Sequence, residues 1–214
     1  MVPQHPPAAS ATRFAERDSS GEAVAIPMPR TDALTRLRDL LAASIFALLT
    51  SLAAQVAIPL PPDGVPMTLQ TLVVLLAALC LGPRVGTTSM VLYLAIGVLG
   101  GAIFAEGSKG VMVLVGQTGG YLLGFVCCQP VIGMIARRRD GSVRGWLAMI
   151  AAVLAGNAVV FALGVPVLAL VNGYGLGRAL EGGLYPFLPG LAVKAVAAVV
   201  IGRLAAPIAA RRPW

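Results

Sequence analysis

From residue 40 onward the chain alternates long apolar runs with short polar clusters. The runs occupy 40–58, about 65–81, 85–105, 111–136, 145–172 and about 187–210. Most reach the roughly 20 residues that an α-helix needs to cross a bilayer, and the second does so only marginally. The pattern predicts six helices. The fourth and fifth runs are long enough to tilt or break, with "GQTGG" (116–120) and Pro166 as the natural interruptions. Residues 1–38 differ, with prolines, serines and charges and no apolar run behind the start. They read as a disordered, charged tail rather than a signal peptide, with Thr31 to Asp39 as an interfacial helical lead-in.

Composition strengthens this reading. Hydrophobic residues make up 57% of the 214, charged residues only 12%, and the mean hydropathy is +0.86. A soluble domain carries about 25% charged residues, so this chain has too little polar surface for water. The expected class is an all-α integral membrane protein, with 39–212 as a six-helix membrane domain in contact with lipid. Its 25 glycines suit helices that approach closely in lipid. Cys80, Cys127 and Cys128 lie in apolar runs and read as small hydrophobes, with neither metal spacing nor a disulfide framework.

The net charge of +7 reports topology rather than nucleic-acid binding. An even number of spans puts both termini on one side. Arg13, Arg17, Arg30, Arg36, Arg38, Arg84, Arg137, Arg138, Arg139, Arg144, Arg203, Arg211 and Arg212 then share that side. Only Lys109, Arg178 and Lys194 fall on or near the other, and the positive-inside rule places both termini in the cytoplasm. Proline, glycine and neutral polar groups gather on the outer face, in 59–71, 105–110 and 172–190. Irregular backbone at membrane depth needs burial in protein or a hydrated cavity, so this distribution predicts an outward-facing small-molecule pocket.

The candidate binding groups follow. In "VPMTLQT", Thr68 and Gln70 enter the second span at its outer end, with helix capping by Thr68 as the alternative role. In "GQTGGYLLG", Gly116, Gly120 and Gly124 form a packing stripe, whereas Gln117, Thr118 and Tyr121 add polar groups. Ala43, Ala47 and Ser51 form a second small stripe, for which packing within the fold is the simpler use. Asn157, in mid-span, reads as glue between helices. Walker A, HExxH and GxSxG signatures are all absent, and His5 is the sole histidine. The chain is read as a non-enzyme without a cofactor or metal.

Lys194 stands out, because a charge inside a span costs roughly 2.5–3.5 kcal/mol on insertion scales. Pro189 suits the first turn of the last helix, which places Lys194 about 7 Å below its start. Next to the positive helix N-terminus, it suits an anion; snorkelling to the interface is the alternative.

The stretch "IPLPPDGVPMTLQTLVVLLAALCLGPRVGTTSMVLYLAIGVLGGAIFA", with "GQTGGYLLGF" and "PFLPGLAVKA", resembles the BioY family. These are the biotin-binding S components of energy-coupling factor transporters. The resemblance covers about residues 42–205 and rests on VPxTLQT, LGPRxG, GxTGGYLLGF and PGxxxK occurring in that order. It implies a six-helix subunit of the cell's inner (plasma) membrane that captures biotin at its outer face. It also implies partners: a transmembrane coupling subunit with two ATPases, docked through Ala43 and Ala47. Lys194 then becomes the counter-ion for the biotin carboxylate, with Ser108 in the variable loop position near the ligand. Three departures stand out. Gln117 replaces the family's proline, "AEGSKG" replaces a glycine-rich GGxGG loop, and Leu191 replaces the acid of PGDxxK. A different vitamin-like ligand, or a scaffold without a ligand, are the alternative readings.

Overall fold

The computed structural model describes residues 15–17, 23–25, 33–60 and 65–209. The chain divides into two units, Met1–Arg36 and Leu37–Trp214. In the first, strands β1 (Ala15–Arg17) and β2 (Ala23–Ala25) pair antiparallel, with Glu16 opposite Val24. The expected disorder of 1–38 otherwise falls mainly outside the described residues.

The second unit is helical. Its elements are α1 (Ala33–Gln55), the short antiparallel pair β3 (Ala57–Ile58) and β4 (Met67–Thr68), then α2 (Gln70–Val98), α3 (Met112–Val115) and α4 (Gly119–Ala136). α5 (Trp146–Asn172), α6 (Leu176–Gly183) and α7 (Leu188–Ala209) complete it. Five stretches among the described residues are long and apolar enough to cross a membrane. Large apolar side chains such as Leu37, Leu41, Leu48 and Leu52 point outward from α1, as a lipid-facing surface requires.

The second and third predicted runs form one element, and Gly82 explains how. Its φ of 78° and ψ of −178° break the helix, a conformation that glycine adopts without steric penalty. Pro83 then opens the next arm. The arms, 70–81 and 83–98, fold back on each other. A Cβ on Gly86 would lie 3.3 Å from the Ala78 Cα, and Gln70 hydrogen-bonds Tyr93. A straight helix would hold Gln70 and Tyr93 about 34 Å apart.

Arg137 closes the turn. It was expected as one more charge in an arginine-rich loop, yet it is only 1% exposed. Its guanidinium donates to the carbonyls of Leu79, Cys80 (2.8 Å) and Gly141 (3.1 Å). Those of Leu79 and Cys80 end the first arm and have lost their helical partners at the break. Nearby, hydrogen bonds from Ser142 hold the Asp140 carboxyl below its ordinary range.

Of the expected glycine stripe, Gly120 and Gly124 pack on α4, whereas Gly116 is extended at the α3–α4 break. Cβ atoms at Gly120 and Gly124 would lie 2.3 Å from the Leu163 carbonyl oxygen and 2.8 Å from the Val160 Cα, so α4 and α5 touch backbone to backbone. Of the two proposed interruptions, "GQTGG" does separate α3 from α4, whereas α5 runs through Pro166 unbroken. Asn157 donates to Val153 in its own helix, at 2.9 Å. Gln129 is a buried amide that does cross between helices, donating from α4 to the Val74 carbonyl at 3.0 Å. α6 lies within a glycine-rich segment that reads as loop.

Candidate functional site

A cavity of about 290 Å³ opens at the end of the bundle opposite Gly82. That is near the lower limit for small-molecule pockets, about 300 Å³. Four irregular or helix-starting segments converge there: β4 with the start of α2, the 104–108 turn, the α3–α4 break and the entry to α7. Its walls are mainly apolar, with Phe104, Phe125, Phe161 and Phe187 among them. The polar groups are few and come from separate segments, the arrangement expected of a site that orients a small ligand.

Thr68, Gln70, Ser108, Gln117, Thr118 and Tyr121, all singled out in the sequence, line this cavity. Thr68 does two things. Its hydroxyl accepts from the Gln70 backbone N–H at 3.3 Å, although Leu69 rather than Thr68 is the N-cap of α2, and donates to Gln70 Oε1 at 2.8 Å. Gln70 is 4% exposed, and its Nε2 donates to the Tyr93 hydroxyl. Ser108 donates to the Ala105 carbonyl at 2.8 Å and so tightens the 3₁₀ turn Ala105–Gly107. Within that turn Glu106 adopts φ 57°, the left-handed region that glycine favours, and its residue lines the cavity. Gln117 accepts from Asn172 at 3.5 Å, which ties the α3–α4 break to the end of α5.

Tyr121 combines an aromatic wall with a polar tie. Its ring stacks on Phe187 at 6.2 Å and meets Phe161 edge-on at 6.0 Å. Its hydroxyl donates to the Gly183 carbonyl at 2.7 Å, which fixes the end of α6 beside the cavity.

Lys194 stands just behind the wall rather than in it. Its Nζ donates to the Thr68 carbonyl (3.0 Å) and to Thr71 Oγ1 (3.3 Å), and Thr68 and Thr71 both line the cavity. The ammonium can make three donations, so two are directed at this wall. Leu191, one turn earlier, is partly exposed.

Ala43 and Ala47 lie elsewhere. They are 0% and 1% exposed, and Ala47 belongs to the same buried apolar cluster as Val74 and Tyr93. The alanine face of α1 is therefore its inward face, as the packing role requires. Sequence reasoning did not pick out the cavity's phenylalanines or Tyr93. The phenylalanines are scattered singly through the sequence, and Tyr93 reaches Gln70 only because Gly82 reverses the chain. Among the described residues no cluster of His, Cys, Asp or Glu could hold a metal ion.

The chain has clear relatives. The BioY family profile matches residues 27–211. The biotin transporter BioY of Thermotoga maritima is 38% identical over 165 residues, 77% of this chain and 94% of that protein. The biotin transporter BioY of Rhizobium etli is 31% identical over 172 residues, 78% of this chain and 91% of its own. The fold is that of a crystal structure, at 2.1 Å, of the S-component for biotin from an ECF-type ABC transporter, with a TM-score of 0.74 and 24% identity over 81% of this chain and 93% of that one. With a profile that spans most of its length and relatives this similar along nearly all of theirs, the chain belongs to the BioY family.

Proposed function

We propose that this protein captures biotin in the cavity between β4, the 104–108 turn, α4 and α5, as the substrate-binding S component of an energy-coupling factor transporter. The observation that carries the reading is the convergence of Thr68, Gln70, Ser108, Gln117, Thr118 and Tyr121 on one small, aromatic-walled cavity. Biotin is compact and apolar in its rings and chain, with a cyclic urea at one end and a carboxylate at the other. Such a molecule needs an apolar enclosure with a few placed polar groups. The protein is no enzyme; it binds its ligand and makes or breaks no bond.

The hairpin at Gly82 supports six crossings, because it turns one long helical stretch into two arms that run in opposite directions. With six crossings every arginine but Arg178 falls at the Gly82 end, which favours a cytoplasmic location for that end and for both termini, and an outward-facing cavity. The working partners are then a transmembrane coupling subunit of the inner membrane and two cytoplasmic ATPases. Lys194 places a positive charge behind the Thr68–Thr71 wall, where it attracts the ligand's carboxylate without having to line the cavity.

The test is calorimetric titration of the detergent-purified protein with biotin, together with mass spectrometry of whatever small molecule co-purifies. Saturable biotin binding is expected. Failure to bind biotin, with another vitamin-like compound recovered instead, would assign the cavity to that compound. Recovery of no ligand at all would favour a scaffold.

A further inference from the structure

Tyr93 stands outside the lining of this cavity, yet it decides what the cavity offers its ligand. It is 0% exposed, and its ring packs edge-on against Phe104 at 5.4 Å and 84°. Phe104 in turn lies against Gly97, where an added Cβ would come within 2.2 Å of the ring. The phenol therefore has little freedom to move. Its hydroxyl carries a single proton, and that proton goes to the Ile103 carbonyl, 3.3 Å away.

The rest follows from counting protons. With its own proton engaged, the hydroxyl can only accept from Gln70. The NH₂ end of the Gln70 amide must then face Tyr93. The oxygen end points the other way, where the Thr68 hydroxyl donates to it at 2.8 Å. A carbonyl oxygen has two lone pairs. One takes the Thr68 proton, and the other remains at the cavity wall that Gln70 forms. Turning the amide over would set its oxygen against a phenol whose proton is already committed, and its NH₂ against a hydroxyl that would have to find another acceptor.

We infer that Tyr93 is a positioning residue: it locks the Gln70 amide so that the cavity presents an acceptor oxygen, which selects a ligand carrying an N–H donor. This rests on the biotin reading above, because the cyclic urea of biotin supplies such N–H groups while its carboxylate supplies none. Gln70 sorts ligands by their donors, while Lys194 acts on charge from behind Thr68.

The experiment compares biotin with analogues methylated at one or the other ureido nitrogen, by titration of the purified full-length protein. The wild type should bind biotin and reject at least one methylated analogue by about tenfold or more, the usual effect of an unpaired buried acceptor. In Tyr93→Phe the ring stays but the lock goes. Biotin should weaken by about tenfold, and the preference over that analogue should largely vanish. Gln70→Leu should lose the preference in the same way with Tyr93 intact, which keeps the test decisive if Tyr93→Phe does not fold. A wild type that binds biotin without discriminating would overturn the inference. So would variants that lose affinity yet keep the discrimination, since that is the signature of a merely structural role. A wild type that binds no biotin at all defeats the functional reading itself, and this inference with it.

Discussion

At Gly82 the irregular backbone is shut by one buried arginine, whereas at the opposite end of the same hairpin it borders an open cavity. Both ends interrupt helices in a chain built for lipid, and both must satisfy the carbonyls and N–H groups thus released. The Gly82 turn does so with a guanidinium that directs its N–H groups at Leu79, Cys80 and Gly141. The cavity end uses neutral hydroxyls and amides in a chain from Thr68 through Gln70 to Tyr93 and Ile103. A charge aimed at the backbone seals a turn. A relay of neutral groups can satisfy itself and still leave an acceptor for a guest.

The sharpest way to break this contrast is Arg137→Ala. It removes donors from at least three carbonyls, and hydrogen bonds to charged groups are worth about 1.5–3 kcal/mol each. A loss of at least about 3 kcal/mol of stability is expected, read as a marked drop in the unfolding temperature in detergent. Biotin affinity of the fraction that remains folded should hold, because the cavity lies at the other end. A variant that unfolds normally but binds poorly would mean the two ends are not separate.

Replacing Ala43 and Ala47 together with leucine should cost about 1–3 kcal/mol through overpacking of the inward face of α1. Normal stability combined with lost assembly on the coupling subunit would instead make that stripe a docking surface. Lys194→Met should leave the fold intact and weaken biotin by about tenfold, or about 1.4 kcal/mol. Biotinamide, which lacks the negative charge, should lose most of its disadvantage in that variant. Equal biotin affinity in Lys194→Met and the parent would remove the lysine from ligand attraction. The smallest expected change is a gain: Glu106→Gly relieves a left-handed backbone and should stabilise the protein by about 1 kcal/mol. If the unfolding temperature fell instead, the glutamate side chain would be contributing more than its backbone costs.

Much of the cavity end could be read from the sequence, because polar residues in an apolar chain announce themselves. Thr68, Gln70, Gln117 and Tyr121 were visible as polar groups that a lipid-facing helix has no use for. The Gly82 end was harder. Arg137 sits among Arg138, Arg139 and Arg144, and nothing local separates the one buried guanidinium from its neighbours. Its role appears only when the chain reverses at Gly82 and brings Leu79 beside it. Tyr93 was hidden for the same reason, 23 residues from its partner. Lys194 was legible as a functional charge but not as one standing behind the wall, since its depth on α7 says nothing of where Thr68 and Thr71 lie. The alanine stripe was legible as close packing, and its direction was set by the leucines on the opposite face of α1.

The glycine turn also bears on how the chain enters its membrane. At about 1.5 Å per residue, the arms 70–81 and 83–98 rise only about 18 and 24 Å, less than the roughly 30 Å of a hydrocarbon core. Arms this short cross only where the bilayer thins or their flanking residues reach past the hydrocarbon, and Thr68 and Arg84 would sit badly if one arm entered first. We expect the two to partition together, folded at Gly82 before or during entry. A substitution at Gly82 would then be felt during biogenesis, as protein that is synthesised but never integrated.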